Sequence, residues 1–225
     1  MAPPMGEHDD FKSHWDARVA SFRAENAGWR AHPERQQIVM LGDSLTERFR
    51  TGAHFRGRPI ANRGIHSDHL TPFAERSIMD RLAPELLAPN PSHVLVMGGI
   101  NDVHRQPDAI SEYLSVYERL LGELRQRYPR ASLICQSLLP TTAPLQHLNA
   151  PILEFNRGLQ ALAGRCGAHY LNLNASYTNG RGELRRFASR DGLHLTRFSY
   201  GRWRRTIESY MGWSSTRGLV GLLGA

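Results

Sequence analysis

The feature that most limits what this chain can fold into is a series of short, unbroken apolar runs. Each is followed, after a polar or glycine break, by a stretch with helical spacing. Ile38-Val39-Met40-Leu41 closes at Gly42, and His93-Val94-Leu95-Val96-Met97 closes at Gly98. A run that is apolar at every position is buried on both faces, as in a parallel sheet covered by helices on either side. Ser132-Leu133-Ile134-Cys135 and His169-Tyr170-Leu171-Asn172-Leu173 read the same way, and Pro59-Ile60-Ala61-Asn62 is a weaker version. Ahead of the first run, Trp15, Val19 and Phe22 recur at helical spacing, and further helical stretches lie between the runs. Ser111 to Tyr128 carries Tyr113, Leu114, Tyr117, Leu120, Leu121 and Leu124 on one face and stops before Pro129. Ile152 to Arg165 repeats the pattern with Ile152, Phe155, Leu159 and Leu162. Strands alternating with helices predict an α/β protein, a three-layer α/β/α sandwich around a central, mainly parallel five-stranded sheet.

Length and charge narrow the class. With 225 residues the chain is expected to form one domain over 1–225, with residues 1–10 flexible and 212–225 an apolar tail of unassigned packing. No stretch approaches the roughly 18 apolar residues of a membrane-spanning helix, and the first residues lack the basic start and apolar run of a secretion signal. A soluble, cytoplasmic protein without stable membrane insertion is expected. The 28 Lys+Arg residues against 21 Asp+Glu give a formal charge of +7. Lys12 is the only lysine and the arginines spread from Arg18 to Arg217, which reads as a compositional bias and not as a nucleic-acid stripe. The two cysteines, Cys135 and Cys166, make neither a C-x-x-C pair nor a disulfide framework, and Cys135 reads as an inert core thiol.

In an open parallel sheet the ligand crevice lies outside the carboxyl ends of the strands, so the residues after each run carry the functional information. After the first stands Gly42-Asp43-Ser44-Leu45, a serine at a strand end and helix start that reads equally as a nucleophile or an N-cap. After the second comes Asn62-Arg63-Gly64-Ile65, and after the third Gly98-Gly99-Ile100-Asn101-Asp102, each also readable as a turn. Asp191-Gly192-Leu193-His194 precedes the last helix and brings a carboxylate and an imidazole within one turn. One at a time these are turns and caps. Together, at one sheet edge, they supply every part of an acyl-transfer site.

These four blocks, in this order and spacing, resemble the signature blocks of the GDSL-type esterases, the SGNH hydrolase superfamily, over about Ile38 to Tyr210. Gln136-Ser137-Leu138-Leu139-Pro140 and His194-Leu195-Thr196 ahead of Tyr200-Gly201-Arg202-Trp203 resemble the branch of platelet-activating-factor acetylhydrolase-like proteins and bacterial acetyl esterases. The resemblance implies a flavodoxin-like sandwich and a serine esterase for short acyl, especially acetyl, esters of a small molecule, sugar or lipid. It makes Ser44 the nucleophile, His194 the base and Asp191 its orienting carboxylate. The oxyanion hole would be the backbone N–H of Ser44, the backbone N–H of Gly64 and the side-chain amide of Asn101. No metal and no cofactor is implied, the partner is the ester substrate, and a homo-oligomer is left open. His66-Ser67-Asp68 departs from the Gly-Gly-Asp common in the family and brings an imidazole to the pocket mouth. Phe198-Ser199-Tyr200-Gly201 departs from the usual start of the last helix.

The same residues bear on other readings. A metal site drawn from His66, His69, His93 and His104 lacks an H-E-x-x-H or a cysteine cluster. No G-x-S-x-G elbow and no phosphate-binding glycine loop follows the first run. A noncatalytic binding protein for acylated ligands and an acyltransferase with the same triad remain alternatives on this fold. Ile100 and Leu138-Leu139-Pro140 are expected to wall the acyl pocket, and Arg63 or Arg105 to favour an anionic alcohol.

Overall fold

The structure, a computed structural model, describes residues 5–213. Residues 1–4, and residues 214–225 of the expected tail, lie outside it. Thirteen elements follow one another: α1 (Met5–Arg30), β1 (Gln37–Gly42), α2 (Ser44–Glu47), α3 (Thr51–His54), β2 (Ile60–Gly64), β3 (Pro91–Met97), α4 (Ile100–Arg105), α5 (Ile110–Arg127), β4 (Ser132–Gln136), α6 (Asn149–Arg165), β5 (His169–Leu171), α7 (Leu173–Tyr177) and α8 (Tyr200–Tyr210). The five strands form one sheet in the order β2-β1-β3-β4-β5. Every neighbouring pair is parallel, so the expected sheet is wholly and not mainly parallel. β5 stops two residues short of the predicted run. Asn172 leaves the strand to cap α7, its Oδ1 accepting the Ala175 N–H at 3.1 Å.

The strand order explains the layers. From β1 the chain steps to one side for β2 and to the other for β3, β4 and β5, so right-handed crossovers place their helices on opposite faces. α5 and α6 pack together on one face. On the other, Phe49 and Phe55 beside α2 and α3 meet the rings of Tyr200, Trp203 and Trp213 at 5.0, 5.1 and 6.1 Å. β1 and β3 are apolar throughout their centres because both faces are covered, and Val39, Leu41, Val94, Leu95 and Val96 are fully buried. α1 builds a second, smaller cluster: Phe11, Trp15, Val19 and Phe22 close over Ile65 and Leu86. Among the described residues no helix is long and apolar enough to cross a membrane.

Register fixes where the chemistry is placed. Gly42 at the end of β1 pairs with Gly64 of β2 and Met97 of β3, so the segments that follow all three strands emerge side by side. This is the point where the strand order reverses, the position at which open α/β sheets bind ligands.

Candidate active site

Ser44 is the first residue of α2. Asp43 caps it, Oδ1 accepting the Leu45 N–H at 2.9 Å. α2 is a single turn, so what it gives Ser44 is position and a free backbone N–H more than a helix dipole. That N–H has no hydrogen-bond partner among the described residues. Two side chains hold the turn. The Asn62 amide donates to the Thr46 and Phe49 carbonyls at 2.8 and 2.9 Å, satisfying the exposed end of α2, and the Tyr200 hydroxyl donates to the Leu45 carbonyl at 2.8 Å.

From 150 residues further along the chain, His194 brings its Nε2 to 3.0 Å from Ser44 Oγ. Its Nδ1 lies 2.7 Å from Asp191 Oδ2. Asp191 Oδ1 accepts from the Ser189 hydroxyl and from the backbone N–H groups of Leu193 and His194 at 3.0, 3.1 and 2.8 Å. Partial burial pushes this carboxyl up, but the His194 ring, the two backbone donors and Ser189 outweigh it and hold Asp191 well below the usual carboxylate range. An ionised Asp191 fixes the proton on Nδ1 and leaves Nε2 to accept from Ser44. Between the two residues Gly192 sits at φ +88°, and a Cβ there would meet the Thr142 carbonyl oxygen at 2.5 Å. Only glycine makes this turn.

The expected oxyanion donors divide. Asn101, the second residue of α4, faces the 66–68 segment, its Nδ2 donating to the Asp68 carbonyl at 2.7 Å and leaving a second amide hydrogen. Gly64 does not serve as expected. Its N–H is committed to Asn62 Oδ1 at 2.9 Å, and the position is glycine because a Cβ would lie 2.0 Å from the Glu47 nitrogen. Three residues on, Ser67 adopts φ +57°, a left-handed conformation uncommon for a residue with a Cβ, and its N–H has no partner among the described residues. The sequence signal was there: the His66-Ser67-Asp68 departure stands where the family carries glycines, which adopt such backbone freely.

Beneath these loops lies a buried polar network that sequence reasoning missed. Arg81 donates from Nε to Asp68 Oδ2 at 2.8 Å, from its terminal nitrogens to the Gly42 carbonyl at 2.9 Å, and also to the Arg63 carbonyl. Burial raises Asp68 to about 6 although Arg81 opposes it. Asp102 accepts the Leu70 and Thr71 N–H groups and the Thr71 hydroxyl at 2.8, 2.9 and 2.6 Å, tying the same loop to α4. Glu47 Oε2 takes the His66 N–H, and the carboxylate meets His14 Nε2 at 3.0 Å.

Two expectations about the pocket are corrected. Arg63 points away from the site, with no exposed surface, bound to Glu25, to Asn26 Oδ1 at 2.6 Å and to the Leu87 carbonyl at 2.6 Å. It cannot meet a substrate. Ile100, Leu138 and Leu139 belong to the core, so they support the site from within instead of walling it. His69 stacks on Phe73 at 4.7 Å, its Nδ1 2.7 Å from the Ser67 carbonyl, and the described residues contain no cluster that could hold a metal ion. Cys135 is buried as expected, and burial pushes its thiol up to about 12.

A model of the GDSL-like lipase/acylhydrolase family matches residues 27–202. Platelet-activating factor acetylhydrolase IB subunit alpha1 of Homo sapiens is 25% identical over 185 residues, covering 78% of this chain and 75% of the human protein. Among solved structures, a GDSL-like lipase from Bacteroides thetaiotaomicron aligns with TM-score 0.69 at 18% identity, covering 84% of this chain and 97% of that one. An acetylxylan esterase from Geobacillus stearothermophilus, solved as a catalytic mutant, aligns with TM-score 0.65 at 17% identity over 81% and 97%.

Proposed function

The chain belongs to the GDSL-like lipase/acylhydrolase family, and from that premise we propose that it is a serine esterase that removes short acyl groups, acetyl above all, through an acyl-enzyme on Ser44. The observation that carries this reading is the relay of 3.0 Å from Ser44 Oγ to His194 Nε2 and 2.7 Å from His194 Nδ1 to Asp191. A hydroxyl is a weak nucleophile until a base takes its proton, and this arrangement supplies the base with its tautomer fixed. Ser44 Oγ attacks the ester carbonyl while its proton passes to His194. The tetrahedral oxyanion is held by the Ser44 N–H, the free hydrogen of Asn101 Nδ2 and the Ser67 N–H, which takes the place expected of Gly64. Collapse expels the alcohol with the proton from His194, leaving acyl-Ser44. Water, deprotonated by the same imidazole, then releases the acid. The acetyl preference draws on the relatives, one named an acetylhydrolase and one an acetylxylan esterase.

The test is hydrolysis of p-nitrophenyl acetate, butyrate and longer esters by the wild type, Ser44→Ala and Asn101→Ala, each checked for folding by circular dichroism. Turnover falling with acyl length, abolished in Ser44→Ala, and lowered roughly 10²–10³-fold in kcat by Asn101→Ala is expected. Equal rates for wild type and Ser44→Ala would refute the reading and favour a binding role.

A further inference from the structure

In the proposed reaction the leaving alcohol departs past His194, because that imidazole returns the proton to it. A cleft of about 430 Å³ has His194 in its wall beside Arg48, Arg190, Arg197 and Phe198. None of these three guanidinium groups has a carboxylate within ion-pair distance among the described residues. The one acidic group in the wall, Asp191, has both oxygens occupied by His194, Ser189 and backbone donors. A second groove of about 470 Å³ shares Arg197 and Phe198 and adds Arg50 and Arg56. Phe198, 89% exposed, stands as an apolar ridge between the two. The excess positive charge is felt locally. Burial, and after it Arg204, Arg197 and Arg50, lower the pKa of His54.

We propose that the cleft beside His194 is the subsite for the alcohol part of the substrate, and that this part carries an anionic carboxylate or phosphate group held by Arg48 and Arg197, its apolar body against Phe198. The inference rests on the esterase reading. Guanidinium groups gathered without counter-charge repel one another, and an oxyanion that accepts from two of them relieves the repulsion and gains charge-assisted hydrogen bonds. A neutral alcohol gains neither. Arg48 and Arg197 are not members of the triad, and they are not the arginines the sequence suggested.

The experiment compares kcat/KM for 4-acetoxybenzoate and its neutral counterpart 4-acetoxybenzamide, each normalised to its rate of alkaline hydrolysis. A preference for the anionic ester of at least about fivefold is expected, carried by KM and reduced by 0.5 M NaCl, since partly exposed charge pairs contribute modestly and are screened. In the double variant Arg48→Gln, Arg197→Gln the ratio should fall toward one. Calorimetric titration of wild-type protein with the products, 4-hydroxybenzoate and 4-hydroxybenzamide, should show the same preference without turnover. Equal use of both esters overturns the subsite and leaves the esterase standing. Turnover of neither ester, nor of p-nitrophenyl acetate, overturns the esterase reading and the subsite with it.

Discussion

Asp43 stands beside Ser44 and is wholly buried, with Oδ1 bound to the Leu45 N–H and Oδ2 without a partner. Burial pushes its carboxyl from 3.8 to about 7, aided by Asp68 and Asp102 and opposed by the Leu45 N–H and Arg81. In the unfolded chain the group ionises near 3.8, so between about pH 4 and 7 the native state holds a proton that the unfolded state has lost. Stability therefore falls as pH rises through that window and levels off above it. Asn in place of Asp keeps the Leu45 acceptor and removes the titration. Asp43→Asn should be more stable than the wild type by roughly 2 kcal/mol at pH 8, less than the full shift implies because a buried amide also costs something. The difference should shrink toward pH 4 in urea melts of both proteins. A variant less stable than the wild type at pH 8 would mean that the ionised carboxylate has a partner worth more than its burial costs.

At the scale of elements, the site depends on how two strand ends and the loop after β2 are clamped. Arg81, in a 3₁₀ turn at Ile78–Arg81, spans the Gly42 carbonyl of β1, the Arg63 carbonyl of β2 and the Asp68 carboxylate. Arg81→Met keeps the length and removes all three, leaving Asp68 buried without its cation. Breaking one side of such a pair costs about 3–5 kcal/mol. The loss should be larger at pH 8 than at pH 5, because at the lower pH Asp68, already raised to about 6 and higher still without Arg81, is neutral. Urea midpoints at both pH values measure this, and a loss below about 1 kcal/mol at pH 8 would refute the clamp. The strands were readable in the sequence because burial on both faces leaves an unbroken apolar run, and the meeting of Ser44 with Asp191 and His194 because they stand in two compact blocks, one at the end of β1 and one ahead of α8. The Arg81 clamp was not readable, since its partners lie 13, 18 and 39 residues away and a lone arginine carries no period. Gly64 misled for a related reason. Whether a backbone N–H is free depends on where the Asn62 side chain turns, and no spacing encodes that.

At the scale of the molecule, the question is whether α1 is an appendage or part of the folding unit. Its apolar face forms a cluster apart from the main core, which taken alone suggests a separable strap. The polar contacts argue otherwise. Asn26 binds the buried guanidinium of Arg63 at 2.6 Å and the Glu85 carbonyl at 3.0 Å, and that guanidinium lies 4.8 Å from the Phe22 ring. Arg18 donates to the Gly64 carbonyl at 3.1 Å, and His14 meets Glu47 in the Ser44 helix. Were α1 to leave, Arg63 would be exposed on one side while still held in the sheet, and Glu47 would lose His14 and Arg18, which lie 3.0 and 3.4 Å from it. Such coupling across elements predicts one cooperative transition. In urea, circular dichroism at 222 nm, which reports all the helices, should coincide with tryptophan fluorescence, to which Trp15 and Trp29 of α1 contribute alongside Trp203 of α8. Phe22→Ala, opening a cavity at a side chain only 2% exposed, should shift both curves together by about 3 kcal/mol. If the fluorescence curve moved to lower urea and the dichroism curve split into two steps, α1 would be an independent strap, and the loop that carries Ser67 would keep its shape through Arg81, Asn101 and Asp102 without it.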